Sequence, residues 1–147
     1  MKRVLLIPLI ATTQLMGCQD ASQNSQATSV TAEKNVQAWV GGYQGVTPCM
    51  GCLSRCDECP GMAVSLQLHD DMRYTLVRES LSGHNEIETL EGVLRFTDAE
   101  KTQIELVNTQ TRNLLFIDLK KQQLEIREDL TAKKYQMQSD FILQKQA

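Results

Sequence analysis

Aromatic residues are scarce. One Trp, three Tyr and three Phe among 147 residues leave any core to Leu, Ile and Val. A surplus of positive charge is missing too: the formal net charge is −3, which removes the electrostatic reason to bind nucleic acid. No nucleophile elbow, phosphate loop or H-E-x-x-H motif occurs. The two histidines, His69 and His84, stand singly at turn-like positions, where a solvated ring is the ordinary outcome. The acidic neighbours Asp57-Glu58 and Asp70-Asp71 are adjacent in sequence. Adjacent side chains of an extended chain point apart, so neither pair forms a catalytic dyad. These absences predict a protein that is not an enzyme and that requires no cofactor.

What is present begins at the N-terminus. Lys2 and Arg3 precede an apolar stretch, residues 4–10, interrupted only by Pro8, and Leu15-Met16-Gly17-Cys18 follow. This is the order of a secretory signal peptide, too short to serve as a membrane span. A small residue directly before a cysteine is what lipoprotein signal peptidase requires. The expected product therefore starts at Cys18, whose sulfur carries diacylglycerol and ties the chain to a membrane. Removing residues 1–17 takes away Lys2 and Arg3 alone among charges and moves the net charge from −3 to −5. Gln19 follows the cysteine, and Asp20 is one place too late for an inner-membrane retention signal, so the outer membrane, with the protein facing the periplasm, is the expected location. Residues 18–37 read as the lipidated cysteine and a Gln-, Ser-, Ala- and Thr-rich tether, whose coil would reach on the order of 20–25 Å.

From Trp39 onward the hydrophobic period is two. Val64, Leu66 and Leu68 alternate with Ser65 and Gln67, and Leu124 and Ile126 alternate with Glu125 and Arg127. Polar turns at Asp70-Asp71, at 82–85, at Thr97-Asp98, at 108–113 and at 120–122 separate such runs. The last run spans 137–143. About eight short strands with short connections predict an all-β fold over residues 38–147: a small antiparallel up-and-down meander barrel, lipocalin-like. A sandwich is the alternative architecture. No amphipathic helix of ten residues is expected, although residues 128–138 fit a helix or a strand.

Between the first two strands lie Cys49-Met50-Gly51-Cys52 and Cys56-Asp57-Glu58-Cys59, bracketed by Pro48, Pro60 and Gly61. Four thiols in an exported loop point either to disulfides or to a metal. Soft sulfur suits Cu(I), with Met50 and Met62 as auxiliary ligands. Three residues between the pairs are few for a Cys₄ zinc site.

Trp39, Gly42, Tyr43, Gly45, Pro48 and Cys49, followed by Cys59, Gly61 and Met62, resemble the start of the N-terminal domain of the NlpE family, with its Y-x-G-x-x-P-C-x-x-C-x-G signature. The resemblance spans roughly residues 38–145. It implies a lipocalin-related barrel on an outer-membrane lipoprotein, with roles in copper tolerance and in triggering an envelope stress response through a sensor partner. This chain departs from the pattern in carrying two C-x-x-C pairs where the family has one. Two other readings stay open: a carrier of a small apolar ligand inside the barrel, and a periplasmic thiol-redox protein.

Overall fold

The computed structural model describes residues 38–83, 86–131, 133–135 and 138–147. The expected signal peptide and tether, Cys18 included, lie outside them, as do His84 and Met137. Eight strands follow one another: β1 (Gly41–Thr47), β2 (Met62–Leu68), β3 (Arg73–Ser80), β4 (Ile87–Phe96), β5 (Gln103–Leu106), β6 (Leu114–Asp118), β7 (Gln123–Glu128) and β8 (Ile142–Lys145). Each pairs antiparallel with the next, and β8 returns to β1 through Tyr43 opposite Lys145 and Gln44 opposite Gln144. The barrel is therefore closed, and the sandwich alternative is set aside. Closure leaves no free sheet edge to template aggregation.

The two-residue period explains which side chains fill the interior. Val64, Leu66 and Leu68 of β2, Tyr74 and Leu76 of β3, Ile104 and Leu106 of β5, and Leu124 and Ile126 of β7 are all buried. Each such side chain contributes roughly 1.5–3 kcal/mol by leaving water. Two glycines let the wall close. A Cβ on Gly45 would stand 2.5 Å from the Ile142 carbonyl oxygen, at the β1–β8 seam. One on Gly92 would meet the Val107 carbonyl at 2.8 Å and the Tyr74 ring at 2.9 Å. Gly92 thus lies inside β4, and its missing side chain is the space that Tyr74 occupies.

One strand is less buried than its neighbours, and one strand expectation changes. Ile87 opens β4 but is 63% exposed, because the first half of β4 extends past the core and pairs only with β3. The closing strand starts later than residue 137: Gln138–Phe141 form one 3-10 turn and β8 begins at Ile142. The preceding described residues form neither helix nor strand, only a bridge between Glu128 and Lys134. Buried Asp129 and Tyr135 hold that segment, the tyrosine hydroxyl donating to the carboxylate at 2.7 Å. Among the described residues there is no helix of ten residues.

The chain enters the barrel at the end away from the cysteine loop. Trp39 packs edge-on against Phe96 at 5.6 Å. The Tyr43 hydroxyl donates to the Trp39 carbonyl at 2.8 Å, and Lys145 Nζ donates to the Ala38 carbonyl at 2.6 Å. β1 then runs the length of the wall and delivers the chain to the loop.

Candidate functional site

Residues 48–61 leave β1 at Thr47 and rejoin the wall at Met62, which pairs with Thr47. Gly61, at φ +105, makes that return; a Cβ there would stand 2.5 Å from the Thr47 carbonyl oxygen. Within the loop each C-x-x-C is a tight turn. The Cys52 amide donates to the Cys49 carbonyl at 3.0 Å, and the Cys59 amide to the Cys56 carbonyl at 3.1 Å. Gly51, at φ +85, supplies the left-handed third position that a type II turn needs. The disulfide runs between the turns, Cys49 to Cys59, with their Cα atoms 6.5 Å apart. Cys52, partly buried, and Cys56, exposed, remain thiols.

One buried arginine fastens this loop to the barrel. Arg112 is 4% exposed. Its Nη1 donates to Thr47 Oγ1 at 3.0 Å and to the Pro48 carbonyl at 2.8 Å. Its Nη2 donates to the carbonyls of Cys49 at 2.8 Å and Cys52 at 3.3 Å. The guanidinium also lies 4.9 Å from the Phe141 ring centre and 5.5 Å from that of Tyr135. Burial pushes its pKa below the ordinary value, and the negative charge that Tyr135 or Cys52 would carry when ionised opposes that shift. Lys133 Nζ adds a bond to the Gly51 carbonyl at 2.9 Å. Burial alone would raise the Asp129 carboxyl, but hydrogen bonds from the Thr131 and Tyr135 side chains and from two backbone amides outweigh it, and its pKa falls below 3.8. Burial, reinforced by Asp129, pushes Tyr135 up to about 12.

Beside the loop lies a cleft of about 410 Å³ whose lining includes Cys49, Met50, Met62, Arg78 and Glu88. The structure thus brings both candidate methionines to one cleft with Cys49, Met50 exposed and Met62 at the edge of the core. Arg78 is buried and donates to the Thr111 carbonyl at 2.7 Å and to Glu88 at 3.2 Å. The four cysteines do not form one cage. Among the described residues no group of three or more His, Cys, Asp and Glu side chains stands ready to hold a metal. His69 sits far from the loop in the β2–β3 turn, 3.4 Å from Thr75 Oγ1. Inside the barrel a small cavity of about 10 Å³, measured for a water-sized sphere, lies between Leu66, Leu106, Arg112 and Leu143.

Sequence reasoning missed Arg112, Arg78, Thr47 and Asp129. Arg112 lies in the polar break 108–113, where nothing in local pattern separates a buried guanidinium from a solvated one. Its φ of 55°, unusual for a side-chain-bearing residue, is visible only in the fold.

A closed eight-stranded antiparallel meander with a disulfide-bridged loop between its first two strands defines the class. The profile of the NlpE N-terminal domain matches residues 43–140, two thirds of the chain, and the chain belongs to that family. No curated protein matches it. The fold is similar to that of a candidate lipoprotein from Shewanella oneidensis solved by crystallography, with a TM-score of 0.58 and 21% identity over 78% of this chain and 94% of that one.

Proposed function

We infer that this is a non-enzymatic, outer-membrane lipoprotein facing the periplasm, which handles or senses copper and thiol state through its cysteine loop and passes the signal to an envelope stress sensor. The observation that carries this reading is the mixed state of the loop: one disulfide and two thiols, presented on a barrel lined with buried apolar side chains. Family membership supports the setting, and the lipidation motif at Cys18 supports the anchor.

The donor set fits a soft monovalent ion better than zinc. With Cys49 and Cys59 joined, the Cys52 and Cys56 thiols and the exposed Met50 thioether are the sulfur donors on the loop. Cu(I) accepts such soft ligands. Reduction of the bridge would add two more thiolates. Arg112 would hold the Cys49–Cys52 turn in place while an ion bound.

Cu(I) titration of the full detergent-extracted chain tests this, against a variant with all four loop cysteines changed to serine. Binding is expected in the parent and lost in the variant; equal stoichiometry and affinity would overturn the copper reading. Fractionation tests the anchor: Cys18→Ala is expected to move the protein from membrane to soluble fractions. The carrier reading would require the small cavity between Leu66, Leu106 and Leu143 to widen around an apolar ligand, and mass spectrometry of the purified chain for co-purified lipid tests it.

A further inference from the structure

We propose that the loop is an internal thiol–disulfide exchange site, in which Cys52 attacks Cys49, releases Cys59 and moves the cross-link from between the two turns to within the first. The proposal rests on the oxidising, exported setting inferred above and not on copper.

Geometry supplies the reaction partners. The Cys49–Cys52 turn is closed by its own hydrogen bond at 3.0 Å. Cα atoms at the ends of such a turn lie within about 7 Å, the range a disulfide spans after small adjustment. Cys52 is thus held in one turn with Cys49, a member of the existing bridge. In the step, a Cys52–Cys49 sulfur–sulfur bond forms and the Cys49–Cys59 bond breaks. The electron pair leaves on Cys59 sulfur, which takes up the equivalent of the proton that Cys52 gave up. One disulfide and two thiols stand on each side, so no oxidant or reductant is consumed.

Anchoring of the first turn selects Cys52 over Cys56 as the nucleophile. Arg112 bonds the carbonyls of both residues that the new bridge would join and holds them in one turn. Cys56 lies instead on an exposed turn closed by the Cys59 amide, with no such side-chain anchor among the described hydrogen bonds.

The same contacts set what the step does. Arg112 and Lys133 hold the first turn whether or not the bridge exists. Among the described residues, the second half of the loop, 53–60, is tied to the rest by the bridge and by a partly exposed ion pair of Arg55 with Asp140 at 3.7 Å. Such a pair holds weakly. Exchange therefore releases 53–60 and presents Cys56 and Cys59 as an accessible dithiol, while the barrel stays unchanged.

Single-thiol variants of the full chain, extracted in detergent, separate the routes. Each is incubated without copper, quenched in acid and mapped by alkylation and peptide mass spectrometry. In Cys56→Ser, the free loop thiol is expected to move from Cys52 to Cys59, at a rate independent of protein concentration. In Cys52→Ser, movement from Cys56 to Cys49 is expected to be at least about tenfold slower. Arg112→Gln in the Cys56→Ser background is expected to slow transfer severalfold. A label that stays on Cys52, or equal rates by the two routes, would overturn the proposal. Cu(I) binding by the fully reduced chain is a separate measurement, so either idea can fail alone.

Discussion

At one end of the barrel, three hairpin turns are held by carboxylates. Asp71 accepts from the Arg73 amide, Asp98 from the amides of Thr102 and Gln103, and Asp118 from those of Lys120 and Lys121. Each turn also contains one residue at positive φ: Met72, Lys101 or Gln122. At the other end, longer segments are held by buried guanidiniums, Arg112 under the cysteine loop and Arg78 against Thr111. The difference follows from what each end must satisfy. A short turn leaves a few exposed amides, and a local aspartate can reach them. A fourteen-residue excursion, 48–61, leaves carbonyls that its own amides do not satisfy in full, so a donor 60 to 64 residues away serves them.

Mutations at the two ends should therefore differ in size. Arg112→Ala should destabilise most, by about 3–4 kcal/mol in urea unfolding, because it strands several carbonyls and empties the space beside Tyr135 and Phe141. A loss below about 1 kcal/mol would mean the arginine is not what fastens the loop. Reducing the Cys49–Cys59 bridge, which closes a loop with a sequence separation of 10, should cost at most about 2–3 kcal/mol. Far-ultraviolet circular dichroism should stay β-type, since the wall does not depend on the bridge. Asp118→Ala, at the opposite end, should cost only about 0.5–1 kcal/mol.

Acid should blur the comparison. Asp129 at the loop end and Asp98 at the turn end both titrate below 3.8, the latter chiefly through the Thr102 hydroxyl. A depressed carboxyl stabilises the fold fully above its unfolded value and loses that stabilisation as pH falls through the folded value. Unfolding curves for the parent should weaken below about pH 4, and Asp129→Asn should flatten that limb. An unchanged acid limb would mean that the Asp129–Tyr135 bond contributes nothing.

Much of the barrel was legible in advance because a wall with one buried face writes itself as alternation. β2 and β7 carry that pattern openly. β4 does not: its exposed first half breaks the link between apolar residue and burial, as Ile87 shows. The cysteine loop was legible as a place, through its spacing and bracketing prolines. Its pairing was not, since the bridge depends on how two turns are folded against each other. Arg112 was invisible for a similar reason: its partners are Thr47, Pro48, Cys49 and Cys52, and only barrel closure brings β1 to the 108–113 segment.

The path of β1 has a mechanical consequence. Its seven residues span roughly 20–25 Å, from the place where the chain enters the domain to the cysteine loop. A pull between a membrane attachment before residue 38 and a partner gripping the loop would act along the strand. The covalent backbone of β1 would carry that load, while its seven register pairs with β2 hold the strand in place in the wall. Tension of that kind would reach the loop as a displacement of Thr47 and Pro48, the residues Arg112 grips first.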